Sequence, residues 1–324
     1  QHGIDSYLYS SEILITTISN HQNAFPIMNL TQEKINKNLI PRMEKQKIIL
    51  VTGFVAVDKD WKITTLGRSG SDFTATIIGS CINADKVIIY TDVNGILTSD
   101  PRKNIRAKTI DHLNYKQVSE LAYFGAKVIH PKTLIPIIPK NIPVYVKNTF
   151  NLNQKGTIIN NKKIDNRKVI DAITTISDFR LFTVHGLGMM GTIGISGKIF
   201  SILNEMGEST PFITQASSEQ TICFAIKDKS CDKVRKKLVE VFSKEIEDRI
   251  IDKVEVSKDI SIVTVVGENM INKCGVAGKI FTILGKHCIN ILAISQGTSE
   301  LSISFVIDRN TEDIAIRVLH TLVE

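Results

Sequence analysis

From residue 181 to residue 307 the chain repeats itself at a constant offset of 81 residues. LFTVHGLGMM (181–190) returns as IVTVVGENMI (262–271), GISGKIFSIL (194–203) as GVAGKIFTIL (275–284), and ITQASSEQTICFAI (213–226) as ISQGTSELSISFVI (294–307), with no gap. Two copies of one module is the simplest reading of such a period. Each copy reads as strand, glycine turn, amphipathic helix, strand, strand, helix, which is a ferredoxin-like α+β sandwich. The first copy has a candidate fourth strand after its second helix, Ile251 to Val256. The second ends at helix 312–323 with no residues left for one. The strand-like segment Val169 to Ser177 is otherwise unpaired, so it is expected to supply the missing strand. The first module (about 178–258) is then inserted in the second (169–177 plus 259–324), and the Lys/Asn-rich stretch 151–168 is a linker.

The first half carries three polar runs beside apolar segments. ITTLGRSGSD (Ile63 to Asp72) places a cation, two glycines, hydroxyls and a carboxylate before a segment, Phe73 to Ile82, that reads as a helix with Ser71 or Asp72 at its N-cap. A glycine loop entering a helix presents unpaired N–H groups and the positive dipole end to an anion. Arg68 adds a planar fork suited to carboxylate or phosphate. By itself such a loop is also compatible with a tight turn. KVIIYTDVNGILTSDPR (Lys86 to Arg102) reads as a buried strand, Val87 to Tyr90, opening into a loop with Thr91, Asp92 and Arg102. Open α/β sheets bind ligands at such strand ends, although an Asn-Gly turn followed by an Asp-Pro turn accounts for the same residues. ELAYFGAKVIHPKT (Glu120 to Thr133) puts Lys127 and His130 at the end of an apolar helix, where a solvated lysine and a capping histidine are the commoner fates.

Together, in order and spacing, these runs resemble the aspartate kinase family, whose patterns read GRGGSD, TDVDGIYTTDPR and FGAKVLHPxT. The likeness covers nearly all the chain beyond about residue 45 and is nearest to the threonine-sensitive, single-function kind, with KNTF (Lys147 to Phe150) in support. The repeated modules resemble the ACT domain, a sensor of amino acids. The implied fold is α/β: an amino-acid-kinase-type αβα sandwich, of which residues 1–150 are the C-terminal part, followed by two ferredoxin-like ACT domains. The implied reaction is phosphoryl transfer from ATP, with Mg²⁺, to the β-carboxylate of L-aspartate, the first step toward lysine, threonine and methionine. The resemblance implies that Arg68 grips the α-carboxylate, with Ser69, Gly70, Ser71 and Asp72 completing the substrate loop. It assigns the nucleotide to Thr91, Asp92, Leu97, Arg102, Lys127 and Val128, and it gives Lys127 a place over the phosphates. No residue is assigned as a metal ligand. Leu97 stands where the family has tyrosine, which removes an aromatic contact with the nucleotide. Ser69 replaces a glycine and Asn94 an aspartate, both acceptable in turns.

In each module a glutamine closes a β-rich segment: Gln215-Ala216-Ser217-Ser218 and Gln296-Gly297-Thr298-Ser299. A side-chain amide can pair with both the carboxylate and the ammonium of an amino acid, and an exposed hairpin turn is the plainer alternative. With the glycine turns Gly194-Ile195 and Gly275-Val276, these glutamines are the expected effector contacts, with threonine first and lysine second. ACT modules commonly pair between subunits, so a homodimer or larger is expected.

Composition narrows the partners. The formal charge is +7, but Lys and Arg are interleaved with Asp and Glu, which suits anionic substrates and not nucleic acid. Five cysteines without CxxC spacing, mostly in apolar segments, read as buried reduced thiols of a cytoplasmic protein. No apolar run approaches the ~18 residues of a membrane span. The chain opens with Gln1, its first strand-like runs (Ile13 to Thr17, Ile48 to Phe54) look mid-domain, and the family's Lys-Phe-Gly-Gly-Thr-Ser phosphate loop is not among its residues. About the first third of the protein is therefore expected to be missing, with a natural truncation as the alternative, and this fragment alone is expected to be inactive. LHTLVE (319–324) reads as a helical ending and no GxGxxG fingerprint is present. A bifunctional kinase with homoserine dehydrogenase ranks below the single-function enzyme on that basis, and a non-catalytic amino-acid-binding regulator is the other alternative.

Overall fold

The computed structural model describes residues 5–45, 48–123, 128–162 and 168–323. The chain divides into two compact units: residues 1–97 with 108–166, and residues 98–107 with 167–324.

In unit 1, β1 (Ser6–Tyr9) pairs in parallel with β2 (Ile48–Val51), and β3 (Val55–Val57) pairs antiparallel with β4 (Ile63–Thr65). Helix α1 (Met28–Asn38) precedes β2, and α2 (Gly70–Cys81) follows β4. Leu14, Ile15, Ile35, Leu66, Phe73 and Ile77 form one buried cluster between these elements. A second sheet has the order β5 (Val87–Thr91), β7 (Val144–Asn148), β8 (Thr157–Ile159), β6 (His112–Leu113), with α3 (Tyr115–Tyr123) after β6. β5 and β7 run parallel, and β7 alternates buried and half-buried residues. Ile13 to Thr17 is not a strand: a 3₁₀ turn covers Ser11–Ile13, and the segment makes only bridge pairs, Thr16 with Val57 and Thr17 with Pro26.

Unit 2 is built on one antiparallel six-stranded sheet in the order β10 (Ile213–Gln215), β11 (Thr221–Lys227), β9 (Ala172–His185), β12 (Lys253–Val266), β14 (Ser302–Asp308), β13 (Ala293–Gln296). β9 and β12 are 14 residues each and pair along most of their length. The C-terminal half of β9 pairs with β11 and with Lys253–Val256, while its N-terminal half pairs with Ile262–Val266. Four helices pack on this sheet: α4 (Ile195–Glu205), α5 (Cys231–Val241), α6 (Val276–Lys286) and α7 (Glu312–His320).

Two apolar cores result, and they correspond at the repeat offset. Phe182, Ile199, Leu203 and Phe224 fill the first, and Val263, Ile280, Leu284 and Phe305 the second. The pair Ile251 and Val254 of the first core answers to Ile170 and Ile173 of the second. The glycines before the two 3₁₀ turns explain why the strands meet so closely. A Cβ on Gly186 would stand 2.1 Å from the Ile250 carbonyl oxygen, and one on Gly267 2.1 Å from that of Val169.

The thiols depart from expectation. Cys81 and Cys231 are buried and pushed up to about 11, mainly by burial, but Cys274 and Cys288 are exposed. Those two lie at turns flanking α6, where the apolar pattern of the segment does not extend to every residue.

Candidate active site and sensor pocket

β4 delivers the chain to the GRSGSD loop, and α2 receives it three residues earlier than expected. Ser69 is the N-cap, in the left-handed region (φ 53°), and its side chain makes no capping bond. Ser71 and Asp72 therefore lie in the first turn of α2 instead of at its cap. Gly67 is also left-handed (φ 70°), so the loop turns through two left-handed backbones on either side of Arg68. A Cβ on Gly70 would come within 2.6 Å of the Phe54 ring, so this glycine lets the helix start lie against β3's approach. The Thr74 hydroxyl ties the same region: it donates to the Gly70 carbonyl (2.9 Å) and accepts from the Phe54 N–H (3.1 Å). Arg68 and Ser71 are exposed and Asp72 is half-buried. Burial pushes the Asp72 carboxyl above its usual range.

A residue that the sequence reading passed over sits under this loop. Lys132 is buried at 7% exposure. Its ammonium donates to the Leu66 carbonyl and to Asn23 Oδ1 (2.8 Å) and lies 5.6 Å from the centre of the Phe73 ring. Among the described residues its acceptors are neutral, and burial lowers its pKa. His130, lowered by burial and then by the charges of Lys132 and Arg68, caps the N-terminus of the 3₁₀ turn Pro131–Leu134 by accepting from the Lys132 N–H. It does not cap the end of a helix, as its position before a proline suggested. Arg68 and Lys132 thus place positive charge around the glycine loop, and with burial they hold His130 toward its neutral form. Lys132 was missed because a lysine after His-Pro looks like any surface residue.

At the end of β5, Thr91 Oγ1 donates to Asp92 Oδ1 (3.1 Å) and the Thr91 carbonyl accepts from the Thr149 N–H (2.8 Å). The following loop is pinned from β8. The Thr157 hydroxyl accepts from the Ile96 N–H (2.8 Å) and donates to the Ile110 carbonyl (2.7 Å). Gly95 (φ 122°) passes so near that a Cβ would lie 2.6 Å from Thr157 Oγ1. Asn148 Nδ2 donates to Asn94 Oδ1 (2.7 Å), Leu97 bridges to Thr109, and Val128 is half-buried in a turn. Lys127 lies outside the described residues. Arg102 belongs to unit 2, and Asp100 occupies its fork with bonds of 3.1 and 2.7 Å. The Arg102 side chain bonded to it holds the Asp100 carboxyl below its usual range. Among the described residues no group of three or more His, Cys, Asp or Glu is arranged to hold a metal ion. A magnesium ion here would take its ligands mainly from phosphates and water.

In unit 2 a cavity of about 450 Å³ brings Gly194, Ile195 and Gln215 together with Met189, Thr192 and Glu219. Gly194 is the left-handed N-cap of α4 (φ 98°) and Gln215 ends β10. Gly275 (φ 82°), Val276 and Gln296 hold the matching positions at α6 and β13. One bond recurs: Glu219 accepts from the Gly191 N–H (3.2 Å) and Glu300 from the Asn272 N–H (2.6 Å). Both glutamates are left-handed (φ 60° and 53°), so each hairpin turns back toward the helix start.

Comparison with known proteins places these features. Residues 4–148 match the amino acid kinase family, and residues 182–242 and 263–322 match the ACT domain. A bifunctional aspartokinase/homoserine dehydrogenase of Haemophilus influenzae is 38% identical over 276 residues, 85% of this chain and 34% of that protein. The chain spans about a third of the length of the bifunctional relatives it matches. E. coli aspartokinase III, solved with aspartate and ADP, superposes with a TM-score of 0.81 at 28% identity, covering 98% of this chain and 70% of that one. The same enzyme solved with lysine and aspartate gives 0.79 at 29% identity, over 98% and 69% of the two chains.

Proposed function

Because the chain belongs to the amino acid kinases that carry ACT domains, the aspartokinases, we propose that it forms part of an enzyme that phosphorylates the β-carboxylate of L-aspartate at the expense of ATP. The observation that carries the proposal is the GRSGSD loop entering α2 above the buried Lys132 ammonium. Arg68 takes the α-carboxylate of aspartate in a bidentate pair, and Ser71 and Asp72 orient the ammonium. Ser69 and Gly70 shape the turn that presents these groups. Lys132 is a positioning residue that fixes the Leu66 carbonyl and so the start of the loop. Thr91, Asp92, Leu97 and Val128 hold the nucleotide, and Lys127 is assigned to its phosphates. Two anions repel as they approach, so transfer depends on concentrated positive charge and in-line placement. Magnesium bound with ATP supplies further charge neutralisation between its phosphates.

The cavity at Gly194, Ile195 and Gln215 is the proposed effector site, with threonine first and lysine second. The complex of E. coli aspartokinase III with lysine supports an amino-acid ligand of that enzyme. Gln296, Gly275 and Val276 are its counterparts in the second module, and pairing of modules between subunits gives the proposed homo-oligomer. A second reading, a kinase portion joined to homoserine dehydrogenase, is favoured by the names of the curated relatives and their greater length. Titration of L-aspartate into the wild-type chain and the Arg68→Ala variant tests the substrate assignment. Saturable aspartate binding that Arg68→Ala weakens is expected, and equal binding by the two refutes the role of Arg68.

A further inference from the structure

Unit 2 holds a cavity of about 740 Å³ whose described walls share only Arg102 with the residues assigned above to substrate, nucleotide or effector. Its volume is in the range of small-molecule sites. Lys103, Arg106, Lys286, His287 and Arg317 line it, together with the Asp100-paired Arg102, and none of its lining residues is acidic. All of these belong to one unit, the segment 98–107 on one side and α6 and α7 on the other. Thr91, Asp92, Leu97 and Val128 are not among its walls.

A row of cations on a mobile surface would mean little, but this wall is built. Glu312 is fully buried, and its carboxylate accepts from Lys103, Thr175 (2.6 Å), Ser261 (2.7 Å) and Arg309. The Thr98 hydroxyl bonds to the buried His320 ring (2.8 Å), and the Thr98 carbonyl accepts from the Ile173 N–H (2.8 Å). Asn104, also buried, donates to Ser99 Oγ (3.1 Å). The repeat shows that this anchoring is specific to the second module, since the position of Glu312 in the first is Cys231, a member of its apolar core. On the opposite wall, Lys286, His287 and Arg317 are exposed, and no side-chain bond or ion pair holds them among the described residues. Ile283 and Val318 give that wall an apolar part, and Ile105 projects at 97% exposure on the other.

We propose that this cavity binds a small molecule carrying two or more phosphate groups. Arg102 and Lys103 are paired with Asp100 and Glu312, whereas Lys286 and Arg317 carry no ion pair among the described residues, and a compact polyanion supplies the charge that this wall lacks. Guanidinium groups match phosphate oxygens in pairs, and lysines add point charge. The proposal is independent of the kinase reading, because its test uses residues outside that machinery. Inorganic tripolyphosphate titrated calorimetrically into the full chain is the direct probe. Wild type binds it with an affinity that falls as salt rises, and the double variant Lys286→Gln/Arg317→Gln weakens binding at least about tenfold while Arg68→Ala leaves it unchanged. Both substituted residues are exposed, so folding is retained, and far-ultraviolet circular dichroism verifies it. Charge reversal in Lys286→Glu alone provides a second variant with the same expected direction. Absence of tripolyphosphate binding by wild type, or binding by the double variant as tight as wild type, overturns the proposal.

Discussion

Single side chains set what each region can do. At the glycine loop Arg68 is exposed just before a helix start and Lys132 is buried against the Leu66 carbonyl, and the proposed roles are contact for the first and positioning for the second. Loss of a charge-assisted bidentate pair costs about 2–3 kcal/mol, so Arg68→Ala is expected to raise the KM for aspartate roughly 30–150-fold. Lys132→Met keeps the length and apolar contacts but leaves the Leu66 carbonyl and Asn23 Oδ1 unpaired. It is expected to lower kcat/KM for aspartate about tenfold and to lower the melting temperature slightly. An unchanged KM and an unchanged melt together would remove Lys132 from the account. Glu312 makes the pH prediction. Burial alone raises its pKa, but the bonds from Lys103, Thr175 and Ser261 and the Lys103 charge outweigh burial and hold it below the ordinary glutamate value of 4.5. The folded pKa is thus depressed, so this stabilisation is complete above pH 4.5 and is lost as pH falls through the folded value. The wild-type melting temperature should therefore drop more steeply below pH 4.5 than that of Glu312→Gln. Glu312→Ala, which strands Lys103, should destabilise unit 2 by about 3–5 kcal/mol near neutral pH.

At the scale of elements, the strand–turn–helix unit of each module depends on a glycine against which a neighbouring strand end is packed. Gly186→Ala and Gly267→Ala force a methyl to 2.1 Å from a backbone carbonyl. Each should lower stability by about 2 kcal/mol or more, read in urea unfolding, whereas Gly197→Ala, with open space around it, should not. The helices of the modules were legible in the sequence because their apolar spacing is strong and repeated: Ile199 and Leu203 recur as Ile280 and Leu284, and all four are buried. The start of α2 was legible only to within three residues. Its cap is a left-handed serine without a capping bond, and the usual N-cap signal pointed to Ser71 and Asp72 instead. Ile13 to Thr17 misled for a related reason: Leu14 and Ile15 are buried as the apolar filling of a turn, which a short run of the same composition does not distinguish from a strand. Lys132 was not legible at all as a partner of the GRSGSD loop, since its neighbours Asn23 and Leu66 are distant in sequence.

At the scale of the molecule, β9 and β12 run through both halves of one sheet, so the two cores of unit 2 share their central strands. A single cooperative transition for unit 2 follows. Ile199→Ala in the first core and Ile280→Ala in the second should each lower it by about 2–5 kcal/mol, and separate transitions for the two cores would contradict this. The match to the amino acid kinase family and to ACT domains was legible because three long runs and one repeat carry it. The cationic cavity was not, because Lys103 and Arg317 meet only through the fold. The central claim, transfer of phosphate to a carboxylate of aspartate, is tested most directly by trapping the acyl phosphate. The natural full-length protein that carries this chain is incubated with ATP, magnesium and hydroxylamine, and aspartyl hydroxamate is measured. Hydroxamate that requires both ATP and L-aspartate, and that is nearly abolished in Arg68→Ala, is expected. ATP consumption with no hydroxamate, or hydroxamate formed equally by Arg68→Ala, would contradict the claim.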